Sequence, residues 1–504
     1  MLRRTKVLVV LDGVNDLQQL NYLIGSTLDW FGNGSRIIIT SGDKQVLVER
    51  GVDIYEVKPL DFDDSLRLFN MHAFEQNHAY LEEYYELSKM MVKHAAGIPS
   101  ALEHLGLRLR GKDKEAWEKQ LGRLKKRVPI KEVHEIFKLS YNDLDHHEKK
   151  ILLDIACFFD GLHLKNDDIQ LLVKDRDYSL ADELDSLINK ALVTISPDNV
   201  VSMLDIIQQT ALKIVREESN DDPAKQSRLQ DPDDIYYVLK NNKGSEAIRS
   251  LAIDVSMIKE VQLNPKVFAK MNKLRYLDIY SNGYSYDFLR SRGGLNLSQG
   301  LEYLPNEVRY LRWARFPLES LPCTFSGEKL VVLDLQYSRV RKLWHDNHKL
   351  RSLPKLPSSL ITLNVSDCVS LENVTFPSTA VQIVRENKRR VAFWNCLKLD
   401  QHSLKAIGLN AQINIKKFAY QHISISRDHD DYDAQGTYVY PGSNVPEWLV
   451  YRTTRYYMTI DLSFVNHSSP LAFIFCFIVP QVESPGFILR VNIGVDEVHI
   501  FELN

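Results

Sequence analysis

Cysteine is scarce in this chain: five among 504 residues, at Cys157, Cys323, Cys368, Cys396 and Cys476, with no CxxC pair. That scatter argues against a disulfide framework and a cysteine zinc cluster, and it suits a reducing compartment. Long hydrophobic runs are missing too. The most apolar segment, Leu471 to Val479, is about half the length of a membrane helix and reads as a buried strand. After the basic start, Met1 to Lys6, a short strand-like run follows where a signal peptide would have its apolar core. Neither sign of charge dominates, the net charge being -3, so bulk electrostatics argue for neither nucleic acid nor an acidic lipid surface. No G-x-x-x-x-G-K-[ST] occurs anywhere, so the phosphate-cradling loop of P-loop NTPases is absent from this sequence.

What is present is globular. Hydrophobic residues make up 44% and charged residues 26%, and the length calls for roughly three or four domains. Lys6-Val-Leu-Val-Val-Leu-Asp12-Gly13 is an apolar run closed by an acid and a glycine, which reads as a strand buried on both faces of a parallel sheet. Its acid falls at the strand's carboxyl end, where open α/β sheets bind ligands and where P-loop NTPases hold magnesium. A core strand ending in an Asp-Gly turn fits the same residues. An amphipathic segment, Leu17 to Phe31, and a second strand, Ile37 to Thr40, complete a βαβ unit, with a third short strand at Asp53 to Val57.

From Asp61 to Arg127 the pattern is helical, with Gly97-Ile98-Pro99 separating two helices. Further helices at Ile136–Leu144, Glu148–Phe159 and Asp182–Lys190 precede a hairpin, Leu192–Ile195 and Val200–Met203. Helices followed by a small wing make a winged-helix pattern, without the basic recognition helix of a DNA binder. Beyond Glu246 one scheme recurs, L-x-x-L-x-L: Leu274-Arg-Tyr-Leu277-Asp-Ile279, Val308-Arg-Tyr-Leu311-Arg-Trp313, Leu330-Val-Val-Leu333-Asp-Leu335 and Leu360-Ile-Thr-Leu363-Asn-Val365, with Leu251-Ala-Ile253 a shorter instance. Intervals of roughly twenty to thirty residues make this a leucine-rich-repeat signature, one strand per repeat with a concave side free to bind. From about Val391 the repeats are expected to stop. Tyr438 to Leu503, rich in aromatic and β-branched residues, reads as β-sandwich-like, and the acidic stretch Asp428–Asp433 as an exposed loop.

In this order the pieces resemble the plant intracellular immune receptors of the TIR–NB-ARC–LRR class. Leu8 to Val14 is similar to that family's Walker B stretch, Gly34 to Asp43 to its sensor 1 stretch, and Gly97 to Leu102 to its GLPLAL motif. Leu139 to Leu144 and Lys150 to Phe159 resemble its winged-helix region, and Met203-Leu204-Asp205 stands where the family has Met-His-Asp. Leu343-Trp344 ends a typical family repeat, and Tyr440 to Trp448 resembles the signature of the domain after the repeats. The resemblance implies a multidomain α/β and α fold. Its parts are a partial P-loop-type parallel sheet over 1–58, a helical ARC1 subdomain over 59–128 and a winged-helix ARC2 subdomain over 129–218. Leucine-rich repeats over 219–375 and a jelly-roll-like β-sandwich over 376–504 follow. It implies an ADP/ATP switch with magnesium, and carries nucleotide-binding roles onto Asp12, Thr40, Pro99 and Asp205, with Asp12 also the metal ligand. The partners implied are a pathogen effector or host guard protein, a second copy or a helper receptor. Neither a membrane nor a specific nucleic acid is among them. The implied location is the cytoplasm, with the nucleus as the alternative.

The departures from the family pattern fall on the chemistry. The NAD-cleaving TIR domain and the P-loop are not in this sequence, which therefore reads as N-terminally truncated and as no enzyme. Gly13 replaces a second Walker B acid, Ser41-Gly42 replaces the sensor Thr-Arg, and Leu204 replaces a phosphate-contacting histidine. After Leu343 the chain passes quickly to Leu350–Leu360, which looks like a last repeat, so an internal block of repeats is expected to be deleted. An active NTPase is excluded by the lack of a phosphate cradle. The expected function is an immune receptor; the alternative is a nucleotide-independent paralogue or decoy acting as a protein-binding scaffold, or a non-functional gene fragment.

Overall fold

The computed structural model describes residues 5–25, 31–74, 81–125, 131–162, 164–174, 180–258, 260–281, 295–343, 356–376, 379, 382–383, 388–425, 436–453, 457–458, 474–478, 490–493 and 498–501. The chain divides into two units, residues 1–235 with 247–251, and residues 236–246 with 252–504.

The first unit opens with β1 (Leu8–Leu11), α1 (Leu17–Ile24) and β2 (Arg36–Ile39), the two strands parallel and in register from Leu8↔Arg36 to Leu11↔Ile39. Asp16 caps α1 by accepting the Gln18 N–H at 2.8 Å, and Gly25, at φ 77°, ends it. The expectation of a strand buried on both faces does not hold. Leu11, Ile37 and Ile39 pack onto a core of Val14, Leu20, Ile24 and Val46, while Leu8, Val10 and Ile38 are 67%, 59% and 52% exposed. The pleat sends alternate side chains to opposite faces, and α1 with α2 (Lys44–Arg50) supplies partners to one face. The strand expected at Asp53–Val57 is also absent. These residues have no ladder partner, and Tyr55 is 88% exposed.

Helices α3 (Phe62–Phe74), α4 (Leu81–Ala95), α5 (Pro99–Leu109) and α6 (Lys114–Lys125) surround Phe69, Phe74, Tyr84 and Trp117, whose indole N–H donates to the Leu109 carbonyl at 3.2 Å. Next come α7 (Lys131–Asn142), α8 (His146–Asp154) and one buried π-helical turn, Ile155–Phe159. After α9 (Asn166–Val173) and α10 (Leu180–Asn189), β3 (Thr194–Ile195) and β4 (Val201–Ser202) form the expected antiparallel wing, and α11 (Asp205–Glu218) closes the module. Then β5 (Arg228–Leu229) pairs in parallel with the first residues of β6 (Ser250–Asp254), α12 (Pro232–Lys240) lying between them in sequence.

In the second unit a short parallel pair, β7 (Val261–Gln262) and β9 (Leu295–Asn296), accompanies a longer sheet. After β6 that sheet runs β8 (Tyr276–Tyr280), β10 (Tyr310–Trp313), β11 (Val332–Asp334), β12 (Thr362–Asn364), β13 (Arg390–Ala392) and β14 (Thr437–Val439). Strands β8 to β14 are parallel, and Leu277, Leu311, Leu333, Leu363 and Val391 are register partners, all buried. The ladder therefore continues past Val391. Neither β13 nor β14 carries the leucine spacing; each joins through backbone pairing, with Val391 and Tyr438 in the leucine register. Three residues beyond the row Arg312, Asp334, Asn364 and Ala392 stand Arg315, Tyr337, Asp367 and Asn395, all left-handed at φ 58–59°. Their N–H groups link rungs: Arg315 to the Gln336 carbonyl, Tyr337 to that of Ser366, Asp367 to that of Trp394, at 2.7–2.9 Å.

A helix, α13 (Gln401–Ile425), precedes β14, and the sequence reading missed it. Its buried side includes Asn410 and Asn414 beside Ile407, Ala411 and Phe418, while Leu409 and Tyr420 are exposed, so it has no clean apolar stripe. Over 376–504 the described residues otherwise hold a three-stranded antiparallel sheet of β15 (Tyr457–Met458), β17 (Val498–Phe501) and β16 (Arg490–Ile493). Ile474–Ile478, expected within a buried strand, does not form a strand, and Phe475 and Ile478 are 40% and 48% exposed. Trp344, the stretch up to residue 355 and the acidic stretch 428–433 lie outside the described residues.

Candidate functional site

Asp12 and Thr40 directly follow β1 and β2, and the parallel register brings them together. The Thr40 hydroxyl donates to Asp12 Oδ1 at 2.5 Å and accepts the Gly13 N–H at 2.9 Å. The Thr40 backbone completes the junction, its N–H donating to the Leu11 carbonyl at 2.8 Å and its carbonyl accepting from Val14 at 2.9 Å. Both side chains are exposed. Gly13 takes φ 68°, a turn conformation that costs glycine little.

Pro99 is the first residue of α5, where its missing N–H leaves no bond unmade. The preceding Gly97 has φ 74°, and a Cβ there would lie 2.4 Å from the Leu60 carbonyl oxygen, so the Gly-Ile-Pro turn is held against Pro59-Leu60. Asp205 is the first residue of α11 and exposed, and Leu204 before it provides no side-chain cap. Helix α5 packs on α7, and α7 on α11, so Pro99 and Asp205 belong to one packed series of helices. No hydrogen bond among the described residues joins either of them to Asp12 or Thr40.

Magnesium takes six oxygen ligands in near-octahedral geometry. Asp12 offers one carboxylate with an oxygen already engaged, and among the described residues no group of three His, Cys, Asp or Glu side chains is placed to hold a metal. With Gly13, Ser41 and Gly42 beside them, Asp12 and Thr40 place one carboxylate and one hydroxyl at the exposed end of the two strands.

A more extensive polar construction in this unit lies around α8. Asp145 caps α8 by accepting the His147 and Glu148 N–H groups at 2.6 and 2.8 Å, and Glu148 returns a carboxylate oxygen to the Asp145 N–H at 2.8 Å. The other Glu148 oxygen accepts from Lys190 at 2.8 Å and Ser186 at 2.5 Å. Burial opposes the charge on Glu148, and these bonds outweigh it, holding its carboxyl below the usual range. Behind α8, Arg228 makes a buried ion pair with Asp154, its Nη2 2.7 Å away, and donates to the Lys150 carbonyl at 3.0 Å. Gln208 donates to the Ala156 carbonyl at 3.1 Å and Gln230 to that of Cys157, satisfying carbonyls of the π-helical turn.

Residues 145–219, from the capping-box aspartate to just past the end of α11, match the family described as "Disease resistance protein Roq1-like, winged-helix domain". The disease resistance protein RPV1 of Vitis rotundifolia is 38% identical over 365 residues, 69% of this chain and 26% of that protein. In Arabidopsis thaliana, RPP4 is 32% identical over 407 residues and RPS4B 34% over 398, covering 76% and 74% of this chain and 34% of each protein. Over most of its length the chain is similar to plant disease resistance proteins. It spans between 26% and 34% of the length of these relatives.

Within that family's winged helix, the π-helical turn is a feature that the linear pattern hid, as are its two glutamine donors, Gln208 inside the matched residues and Gln230 beyond them. The apolar run Ile155-Ala-Cys-Phe-Phe159 reads as a plain helix end, and the glutamines that stabilise it lie far away in sequence. A second polar construction, the row Asp278, Arg312, Asp334 and Asn364 on the long sheet, was also missed as a site. Its signal was the x of each L-x-L, which places one side chain per strand on the same face.

Proposed function

We propose that this chain is the recognition and switch portion of an intracellular plant immune receptor of the NB-ARC–LRR class. The observation that carries the reading is the order of its parts: a resistance-protein winged helix at 145–219, followed by a register-matched parallel ladder from β8 to β14. One strand per leucine-bearing segment, with leucines inward and polar residues outward, supports a leucine-rich-repeat scaffold for that ladder. The scaffold and the β-rich region after it would meet a pathogen effector or a host guard protein, and oligomerisation or a helper receptor would carry the signal. The location that goes with this reading is the cytoplasm; among the described residues no helix is long and apolar enough to cross a membrane. No enzymatic step is assigned to these residues. In the nucleotide switch, Asp12, Thr40, Pro99 and Asp205 would face ADP or ATP only when further residues supply the phosphate cradle.

The test is disruption of the gene in its own plant, followed by challenge with a panel of pathogen isolates. Increased growth of at least one isolate, reversed by restoring the gene, is expected. Unchanged growth across a broad panel would sink the receptor reading.

A further inference from the structure

Asp278, Arg312, Asp334 and Asn364 are register partners on four neighbouring strands, β8, β10, β11 and β12. Their charges read negative, positive, negative, neutral along the face. The two carboxylates are not treated alike. Arg312 is committed to Asp278, with Nε to Oδ1 and Nη2 to Oδ2 both at 2.6 Å, and its guanidinium lies 4.9 Å over the ring of Tyr280. Asp278 is buried and fully used by that fork.

Asp334 has no such partner. Its carboxylate accepts only from neutral donors: the Gln336 N–H and the Gln336 amide at 3.2 Å each, and the Asn364 amide at 3.4 Å. These are long for bonds to a charged acceptor, and no cation among the described residues forms an ion pair with it. Burial pushes the carboxyl up to about 6 against a partial offset from Gln336 and Arg312, so at neutral pH the site holds an ionised group that its surroundings balance only in part. Asp334 is half-buried, and Tyr337, three residues further along the chain, is 45% exposed. An alternating row that ends without its second cation is complementary to a cation from outside.

We propose that Asp334, flanked by Gln336 and Asn364, is the seat for a lysine or arginine side chain presented by a protein partner. The proposal rests on the reading of this sheet as a recognition surface. A bound ammonium or guanidinium would replace three weak neutral contacts with a charge-assisted pair, and Asn364 and Gln336 would fix its direction.

The test uses the full chain and a phage-displayed library of random peptides as probe. Selected peptides are expected to share a lysine or arginine. Their affinity should fall about tenfold or more with Asp334→Asn, on the order of one charge-assisted contact. Replacing the shared basic residue of the peptide by glutamine should cost the same while leaving the protein untouched, and Glu372→Gln, an exposed acid off this row, should change nothing. Peptides that bind equally well to Asp334→Asn but fail with Tyr337→Ala would overturn the seat and leave the recognition surface standing. Selection yielding no peptide that responds to either variant would overturn both.

Discussion

Asp334 is ionised at a cost that stability measurements should register. Its carboxyl is raised from 3.8 to about 6 by burial, only partly offset by Gln336 and Arg312. The folded state therefore favours the protonated form: the stabilising contribution is full below the unfolded value of 3.8 and is lost as pH rises through about 6. Asp334→Asn should accordingly raise stability at neutral pH by about 1–3 kcal/mol and give no gain in acid, as read by thermal unfolding. His134 carries the opposite sign. Its ring is buried, neither nitrogen has a hydrogen bond, and Nε2 stands 3.5 Å from a Glu217 oxygen. Burial and then Lys213 lower its pKa below 6.5, against Glu217 and Glu135, which raise it, with Lys138 adding to the lowering. Its contribution is thus present above pH 6.5 and lost as pH falls below it. His134→Leu should flatten that part of the pH–stability curve, and an unchanged slope would show that the α7–α11 contact does not sense this ring.

At the scale of elements, two joints hold the helical part of the first unit in place. The turn before α5 needs glycine twice over, for φ 74° and for the approach to Leu60. Gly97→Ala should cost more than about 1 kcal/mol and loosen α5 from the Pro59-Leu60 segment, measurable as faster amide exchange at the Leu60 N–H, which donates to the Gly97 carbonyl at 2.9 Å. The second joint is the Asp154–Arg228 pair, both side chains under 5% exposed. Asp154→Ala would leave a buried guanidinium without its carboxylate, with neutral acceptors such as the Ser227 hydroxyl and the Lys150 carbonyl, at a cost of about 3–5 kcal/mol by chemical denaturation. These joints also show what sequence can reveal at this scale. The βαβ unit, the wing and five strands of the long sheet follow from apolar spacing, because each element presents its own face. The π-helical turn, α13 and strands β13 and β14 do not, because their partners come from distant parts of the chain.

For the whole molecule, the nucleotide question becomes a binding measurement. Asp12 and Thr40 are bonded to each other, Pro99 and Asp205 stand at the starts of two other helices, and the sequence contains no phosphate cradle. Calorimetry of the 504-residue chain with ADP and magnesium should therefore detect no micromolar binding. A clear micromolar isotherm would show that other residues supply the cradle, and Asp12→Asn would then be expected to weaken it.

By itself the sequence determined the βαβ unit, the wing, five strands of the long sheet and the family that the chain resembles. Caps, turns, apolar periods and short motifs act over a few residues and survive being read as a string. Only the tertiary structure decided that one face of the β1–β2 pair is exposed, that the ladder continues past the last leucine repeat, and that Asp12 is engaged by Thr40. It also decided that Arg312 is held by Asp278 and leaves Asp334 without a cation. The reason is common to all four. Burial, ladder pairing and charge balance are properties of neighbours in space, and here those neighbours lie between 22 and 47 residues apart or on another strand altogether.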